Sequence, residues 1–384
     1  MSVPRDHMDR RRDAAPASGG VLAASLAEAR RWLDADGASA PDVARRLRER
    51  GAAAVCLVGA GNAGDRMLHW LDTPHARGWL AVSGEPAVTG DAGCFGAEWE
   101  AALVSGFVAA DAAVVAAMTL AGAGRTAVAA GPQLLPRLSW SEVPVFAPAR
   151  PPAPRRLGLY AIVDSAQRLE QVLAAGAKTV QLRIKTPPAP DDAWRAMLRD
   201  QVQRSVAACR AVGAELYVND HWELAAGLGG CGVHLGQEDL AALDDAARAA
   251  LLASGVALGV SSHSLWELAR AAALAPRYIA CGPVWATSTK DMPWRPQGLD
   301  NLAWWCRMAP APVVAIGGIL APDQVRAAAA CGADGVCLVR GLGERPIETV
   351  PPLQAALEAG WRRYAAGGIE PAAHWPHPSL GPRA

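Results

Sequence analysis

Eight short apolar runs alternate with helix-forming stretches over roughly 210 residues, and this rhythm constrains the fold more than any other feature of the chain. The runs are Gly158-Leu-Tyr-Ala-Ile-Val163, Thr179-Val-Gln-Leu-Arg183, Glu215-Leu-Tyr-Val-Asn219 and Gly232-Val-His-Leu-Gly236. They continue with Ala257-Leu-Gly-Val-Ser261, Tyr278-Ile-Ala-Cys-Gly282, Val313-Val-Ala-Ile-Gly317 and Gly335-Val-Cys-Leu-Val339. Ala-rich helical stretches such as 193–212 and 264–275 separate most of them. Runs this apolar read as strands covered on both faces, the state of parallel strands with helical crossovers. Eight such units predict an α/β (β/α)8 TIM barrel. A doubly wound open sheet is the alternative, but the first strand-to-helix loop carries no Gly-rich dinucleotide fingerprint.

Two composition breaks divide the 384 residues. Residues 1–20 are Arg/Asp-rich without a hydrophobic stretch, which reads as a disordered tail and not a secretion signal. Residues 21–131 form a smaller α/β domain, and 132–156 read as a Pro-rich linker. The barrel takes 157–365, and 366–384 read as a loose Pro/Gly/His-rich tail. With 51% hydrophobic residues the chain can build two cores. Its formal net charge of zero argues against a dedicated nucleic-acid or membrane-surface protein. The eight cysteines form no CxxC pair, which favours free thiols and a cytoplasmic location. No apolar run reaches membrane-spanning length. Homo-oligomerisation is left open.

The polar residues that end the apolar runs carry the chemistry. In a barrel, residues just past each strand's carboxyl end line one mouth. Gln181, Arg183 and Lys185 alternate along the second run, so they are expected on one side, where such a face implies a wet, anionic site. Asp220 and Asp239 follow neighbouring strands and can approach one hard cation; each is also a plausible helix cap. The segment Thr287-Ser-Thr-Lys290 places hydroxyls, amides and one cation after a strand, suited to a phosphorylated small molecule. Gly317-Gly318 and the amides after Val339 lie where barrels hold a phosphate. No chemical role is assigned to His234 or His263. Two anionic half-sites suit a reaction in which pyrophosphate leaves and a second phosphorylated molecule attacks.

The motifs Gln181-Leu-Arg-Ile-Lys185, Val218-Asn-Asp220, Gly236-Gln-Glu-Asp239, Gly259-Val-Ser261, Thr287-Ser-Thr-Lys290 and Ala315-Ile-Gly-Gly318 together resemble thiamine phosphate synthase, in that family's order, over 157–365. The resemblance implies the joining of 4-amino-2-methyl-5-hydroxymethylpyrimidine diphosphate to thiazole phosphate, with Mg2+ as cofactor. Gln181, Leu182, Arg183, Ile184, Lys185, Asn219, Ser261 and Lys290 would hold the pyrimidine diphosphate. Asp220 and Asp239 would bind magnesium. Thr287, Ser288, Thr289, Gly318, Val339 and Arg340 would surround the thiazole phosphate. Arg183, Lys185, Lys290 and Ser261 are the expected catalytic set, in a dissociative reaction that needs no protein nucleophile. Arg340 stands where some members carry Ser, and Ile184 replaces a Glu found in many. The related thiazole tautomerase carries a His at the position of Pro283 and lacks the full pyrimidine and magnesium set. A non-catalytic phosphate-binding barrel is the remaining alternative.

In the first domain, 52–59 read as a strand, 61–65 as a turn and 98–117 as helical. The segment Gly90-Asp-Ala-Gly-Cys94, with Gly106-Phe-Val-Ala-Ala-Asp111, resembles the carboxyl-terminal half of hydroxymethylpyrimidine phosphate kinase, a ribokinase-like enzyme. That family forms an anion hole from a Gly-Thr-Gly-Cys turn, whereas Asp91 and Ala92 occupy the Gly and Thr positions here. A carboxylate opposes anion binding at a helix terminus. The expectation is a truncated domain without kinase activity, with Cys94 otherwise a buried thiol.

Overall fold

Each of the eight apolar runs forms a strand, and in the computed structural model they close on themselves. The structure describes residues 19–122, 131–148, 156–287, 293–367 and 375–380. Two compact units divide the chain: 1–146 with 264–273 and 380–384, and 147–263 with 274–379.

The second unit supplies the barrel strands β6 (Gly158–Val163), β7 (Thr179–Leu182), β8 (Glu215–Asn219), β9 (Gly232–Leu235), β10 (Leu258–Ser262), β11 (Tyr278–Cys281), β12 (Val313–Ala315) and β13 (Gly335–Leu338). They pair in sequence order, and β13 pairs with β6 to close the barrel. Every neighbouring pair is parallel. Tyr160, Tyr217 and Tyr278 are buried in one cluster with Leu157, Ile162, Ala280, Val314 and Cys337. The rings of Tyr217 and Tyr278 meet edge-on at 5.1 Å. Glycines make room for them. A Cβ on Gly232 would lie 2.7 Å from the Tyr217 ring, and one on Gly259 would collide with the Tyr278 ring. Large residues are thereby matched to small ones, as interior packing requires.

The crossovers start and stop where their caps dictate. Asp191 accepts the Trp194 N–H at 2.7 Å to open the helix Asp192–Val212, which ends at Gly213 with φ 64°. Ser165 opens Ala166–Ala174 in the same way. The strands are shorter than the apolar runs suggest. β7 ends at Leu182, so Arg183 and Lys185 lie in a loop and strand alternation does not orient them. β12 ends at Ala315, and Gly317 and Gly318 turn the chain with φ 94° and 70°.

The first unit is a five-stranded sheet in the order β1 (Val21–Ser25), β2 (Ala54–Ala63), β3 (Arg66–Asp72), β4 (Arg77–Val82) and β5 (Arg137–Leu138). Only β1 and β2 pair in parallel. Leu22, Val55, Leu57 and Trp70 pack with Leu33, Val43 and Leu47 of the helices Leu26–Leu33 and Ala40–Glu49. His69, the neighbour of Trp70 on β3, meets Phe95 edge-on at 5.4 Å. The expected single helix over 98–117 is two, Ala92–Val104 and Ala109–Ala121, because Gly106 turns the chain with φ 91°. The expected turn at 61–65 is narrower, since β2 runs to Ala63. The helix Leu265–Ala273 also belongs to this unit: Asp111 accepts the Trp266 N–H at 2.9 Å, and Arg270 donates to the Arg77 carbonyl at 3.0 Å.

Two expectations change at the boundaries. The stretch read as linker begins with ordered structure: Leu138 pairs with Leu80, and Leu134, Leu135 and Ser139 are buried. Its leucines outweigh its prolines. Residues 149–155 lie outside the described residues, as do 1–18 of the expected amino-terminal tail. Part of the expected loose carboxyl-terminal tail is held in place. His377 and Asn301 exchange hydrogen bonds of 2.9 and 3.0 Å, and Ser379 accepts the Arg295 N–H at 2.8 Å.

Candidate active site at the barrel mouth

The carboxyl ends of β7 to β10 bring most of the expected pyrimidine-side residues to one region. Gln181 is buried near the end of β7 and donates from Nε2 to the Tyr160 hydroxyl at 3.1 Å. The chain then leaves the strand: the Arg183 N–H donates to the Val163 carbonyl at 2.7 Å. Arg183 and Ile184 are half-buried and Lys185 is exposed. Leu182 is buried. Asn219 ends β8 and is buried.

Asp220 adopts a left-handed backbone with φ 66°, a conformation that costs a non-glycine residue energy and that recurs at functional sites. Its N–H donates to the His234 carbonyl at 3.1 Å, which fixes it beside β9. It does not cap the following helix, where His221 is the capping residue. Asp239 lies in the first turn of Gln237–Ala242, and its Oδ2 accepts the Gly236 N–H at 2.8 Å. It is not the N-cap expected for a helix beginning at Leu240: the helix begins at Gln237, and Asp239, its third residue, bonds back to the capping position while also approaching Asp220. Lost hydration and the facing Asp239 carboxylate push the Asp220 carboxyl up to about 6, and Arg183 pulls it partly back. Two carboxylates and one guanidinium thus share one corner of the mouth. Among the described residues, no cluster of three or more His, Cys, Asp and Glu side chains could hold a metal. A two-carboxylate set still suits a hard dication that completes its shell with water and phosphate oxygens.

Ser261, in β10, is fixed at both its carbonyl and its hydroxyl. Gln237 donates from Nε2 to the Ser261 carbonyl at 2.8 Å, and His234 Nε2 lies 2.9 Å from Ser261 Oγ. Burial pushes His234 down to about 4, so its imidazole is neutral at physiological pH. Its Nδ1 lies 2.7 Å from the Tyr278 hydroxyl, which in turn lies 2.7 Å from that of Tyr160.

The segments expected to hold the thiazole phosphate are brought together by close backbone approach. The Val284 N–H donates to the Ile316 carbonyl at 2.8 Å, and the Trp285 N–H to the Gly317 carbonyl at 3.0 Å. A Cβ on Gly317 would lie 2.6 Å from Pro283, and one on Gly318 would lie 2.6 Å from the Trp285 Cβ. Only glycine lets these two segments touch, and the contact sets Gly318 against Trp285 and the Ala286 carbonyl, next in sequence to Thr287. Gln297 anchors the far side of this loop: its N–H donates to the Pro283 carbonyl at 2.7 Å and its Nε2 to the His263 carbonyl at 2.7 Å. Val339 and Arg340 are exposed where a short 3-10 turn follows β13. Ser288, Thr289 and Lys290 lie outside the described residues.

Sequence reasoning left His234, Tyr278, Tyr160, Gln237 and Gln297 without roles. Gln237 stands inside the Gly236-Gln-Glu-Asp239 motif, where its side-chain amide was the available signal, whereas His234, Tyr278 and Tyr160 stand inside apolar runs. In the first unit, Asp91 caps Ala92–Val104 by accepting the Cys94 N–H at 2.8 Å. Cys94 is exposed, not buried as the sequence suggested, and the Asp91 carboxylate raises its thiol pKa.

A family model described as Thiamine monophosphate synthase matches residues 159–342, within the barrel. The thiamine-phosphate synthase of Rhizobium etli is 43% identical over 205 residues, covering 53% of this chain and 96% of that protein. That of Neisseria gonorrhoeae is 43% identical over 208 residues, covering 53% of this chain and 97% of its own. That of Escherichia coli O1:K1 is 47% identical over 176 residues, covering 46% of this chain and 79% of its own. The solved structure of a thiamine phosphate pyrophosphorylase from Pyrococcus furiosus aligns with 54% of this chain and 98% of its own, at 26% identity and a TM-score of 0.46. None of the described helices is long and apolar enough to cross a membrane. Identity of this level over nearly the whole of the bacterial relatives shows that the chain belongs to the thiamine-phosphate synthase family of transferases.

Proposed function

We propose that the barrel joins 4-amino-2-methyl-5-hydroxymethylpyrimidine diphosphate to thiazole phosphate, releasing pyrophosphate. The observation that carries this reading is the corner where the Asp220 and Asp239 carboxylates face each other beside Arg183. Asp220 and Asp239 would hold Mg2+, which would neutralise diphosphate charge when bound.

The chain's own residues do the rest. The C–O bond to the diphosphate breaks first and its electron pair leaves with pyrophosphate. Arg183 and Lys185 stabilise the charge that grows there, together with Lys290. Gln181, Asn219 and Ser261 hold the pyrimidine that carries the positive charge. Leu182 and Ile184, on either side of Arg183, complete the segment that holds the pyrimidine diphosphate. Thr287, Ser288, Thr289, Gly318, Val339 and Arg340 hold the thiazole phosphate so that its ring nitrogen faces the cation and forms the new C–N bond.

The first domain, 21–131 extended through Leu138, carries no kinase activity in this reading. Asp91 already occupies the Cys94 amide that an anion hole would offer, and it disfavours the Cys94 thiolate. The test is to assay the purified chain with both substrates, with and without Mg2+, and separately with ATP and the hydroxymethylpyrimidine. Thiamine phosphate and pyrophosphate should form in equal amounts, only with metal, and ATP should not be consumed. Turnover of thiazole phosphate alone, or binding of both substrates without product, would overturn the reading.

A further inference from the structure

Five side chains from five strands form one hydrogen-bonded line across the barrel. Gln181 Nε2 donates to Tyr160 Oη at 3.1 Å. Tyr160 Oη lies 2.7 Å from Tyr278 Oη, Tyr278 Oη lies 2.7 Å from His234 Nδ1, and His234 Nε2 lies 2.9 Å from Ser261 Oγ. The two ends of this line, Gln181 and Ser261, are residues proposed above to hold the pyrimidine. Its three middle members are given no substrate contact.

The donors and acceptors along the line are interdependent. Each hydroxyl has one proton, and a neutral imidazole has one N–H and one bare nitrogen. With the Gln181 amide donating, Tyr160 passes its own proton to Tyr278 and Tyr278 passes its proton to His234 Nδ1. The His234 proton must then sit on Nε2, where it is given to Ser261 Oγ. The Ser261 proton is left for the mouth. Turning the Gln181 carbonyl toward Tyr160 reverses every link, and Ser261 then spends its proton on His234 Nε2. Low-dielectric surroundings penalise any broken link, so the line switches as a unit. Gly259 gives the Tyr278 ring its space, and Gln237 holds the Ser261 backbone, so the middle of the line and its Ser261 end are fixed.

We propose that His234, Tyr278 and Tyr160 are positioning residues that couple Gln181 to Ser261, making the Ser261 hydroxyl a hydrogen-bond donor to the substrate whenever Gln181 presents its carbonyl oxygen as an acceptor. The pair then reads a ring that offers an N–H beside an acceptor, as an aminopyrimidine does. This inference rests on the proposed placement of the pyrimidine diphosphate.

A double-mutant cycle with Ser261→Ala and Tyr278→Phe tests it, using the full chain. Tyr278→Phe keeps the ring and removes only the link. Each single variant should lower kcat/KM for the pyrimidine diphosphate about tenfold and leave the KM for thiazole phosphate unchanged. The double variant should be no worse than Ser261→Ala alone, because without the Ser261 hydroxyl the line has nothing to orient. A merely structural Tyr278 would lower activity equally in both backgrounds. Additive losses, or a Tyr278→Phe variant equal to the wild type, overturn the coupling while leaving the substrate placement intact. No effect of Ser261→Ala overturns the placement and the coupling together. If Tyr278→Phe does not fold, Tyr160→Phe breaks the line one link further away and is read against Ser261→Ala by the same criteria.

Discussion

Gly318→Ala puts the phosphate half of the site under direct test. Gly318 has φ 70°, and an added Cβ would lie 2.6 Å from the Trp285 Cβ and 2.7 Å from the carbonyl oxygens of Trp285 and Ala286. Two of these three neighbours are backbone atoms, so no flexible side chain can yield. The left-handed conformation costs alanine about 1–2 kcal/mol. Relieving the overlap costs about 1–3 kcal/mol more by analogy with overpacked cores. The sum is about 2–5 kcal/mol, a fall in melting temperature of roughly 5–15 °C for a unit of this size. The overlap can be relieved only by moving residues 285–286 away, which carries Thr287 with them. Thermal unfolding combined with steady-state kinetics should therefore show a destabilised enzyme whose KM for thiazole phosphate rises about tenfold, a loss of one well-placed anion contact. The KM for the pyrimidine diphosphate should stay within about twofold of the wild type. A variant with unchanged stability and unchanged thiazole phosphate KM would refute the close approach of the two loops. A loss confined to the pyrimidine diphosphate would refute the assignment of the phosphate half.

Arg183→Ala should lower kcat by roughly 100- to 1,000-fold, as loss of one preorganised charge-stabilising group does, in single-turnover measurements of the chemical step; a change only in thiazole phosphate affinity would show that Arg183 is misplaced. Asp111 is fully buried and burial pushes its carboxyl up to about 7, above its ordinary value, so its contribution to stability is present at acid pH and is lost as pH rises through 7. Urea unfolding should show Asp111→Asn gaining on the wild type between about pH 4 and pH 8, by on the order of 4 kcal/mol at most, and parallel pH profiles would contradict a buried carboxyl. A fragment starting near Arg150 retains every proposed site residue and should keep synthase chemistry, but it should be less soluble, because Leu265–Ala273 is buried almost throughout and packs in the first unit. A soluble, folded but inactive fragment would mean that the first unit contributes to the reaction.

The barrel was legible because strands covered on both faces leave unbroken apolar runs, and all eight runs became strands. Part of the candidate site was legible in position, because Asn219 and Ser261 end their apolar runs and lie at the carboxyl ends of β8 and β10. Strand alternation was applied too far at Arg183 and Lys185, since the strand stops where their charges would enter the interior. The line from Gln181 to Ser261 was not legible. Tyr160 and Tyr278 are 118 residues apart in sequence, and a tyrosine in an apolar run looks like any other core residue until its hydroxyl partner is known. The same holds for the end of the presumed linker, where Leu138 is a strand residue only because Leu80 is beside it. Asp111 falls inside the stretch 98–117 read as one helix, where nothing marks it out; its partner, the Trp266 N–H, is 155 residues away.

The central claim is that Asp220 and Asp239 together hold the metal that carries the leaving diphosphate. Mn2+ titration of the full chain, with pyrophosphate present and metal binding followed by electron paramagnetic resonance, measures this without turnover. The account predicts one pyrophosphate-dependent Mn2+ site in the wild type, and its loss in the Asp220→Asn/Asp239→Asn double variant with the fold retained by circular dichroism. Unchanged pyrophosphate-dependent Mn2+ binding in that variant would contradict it.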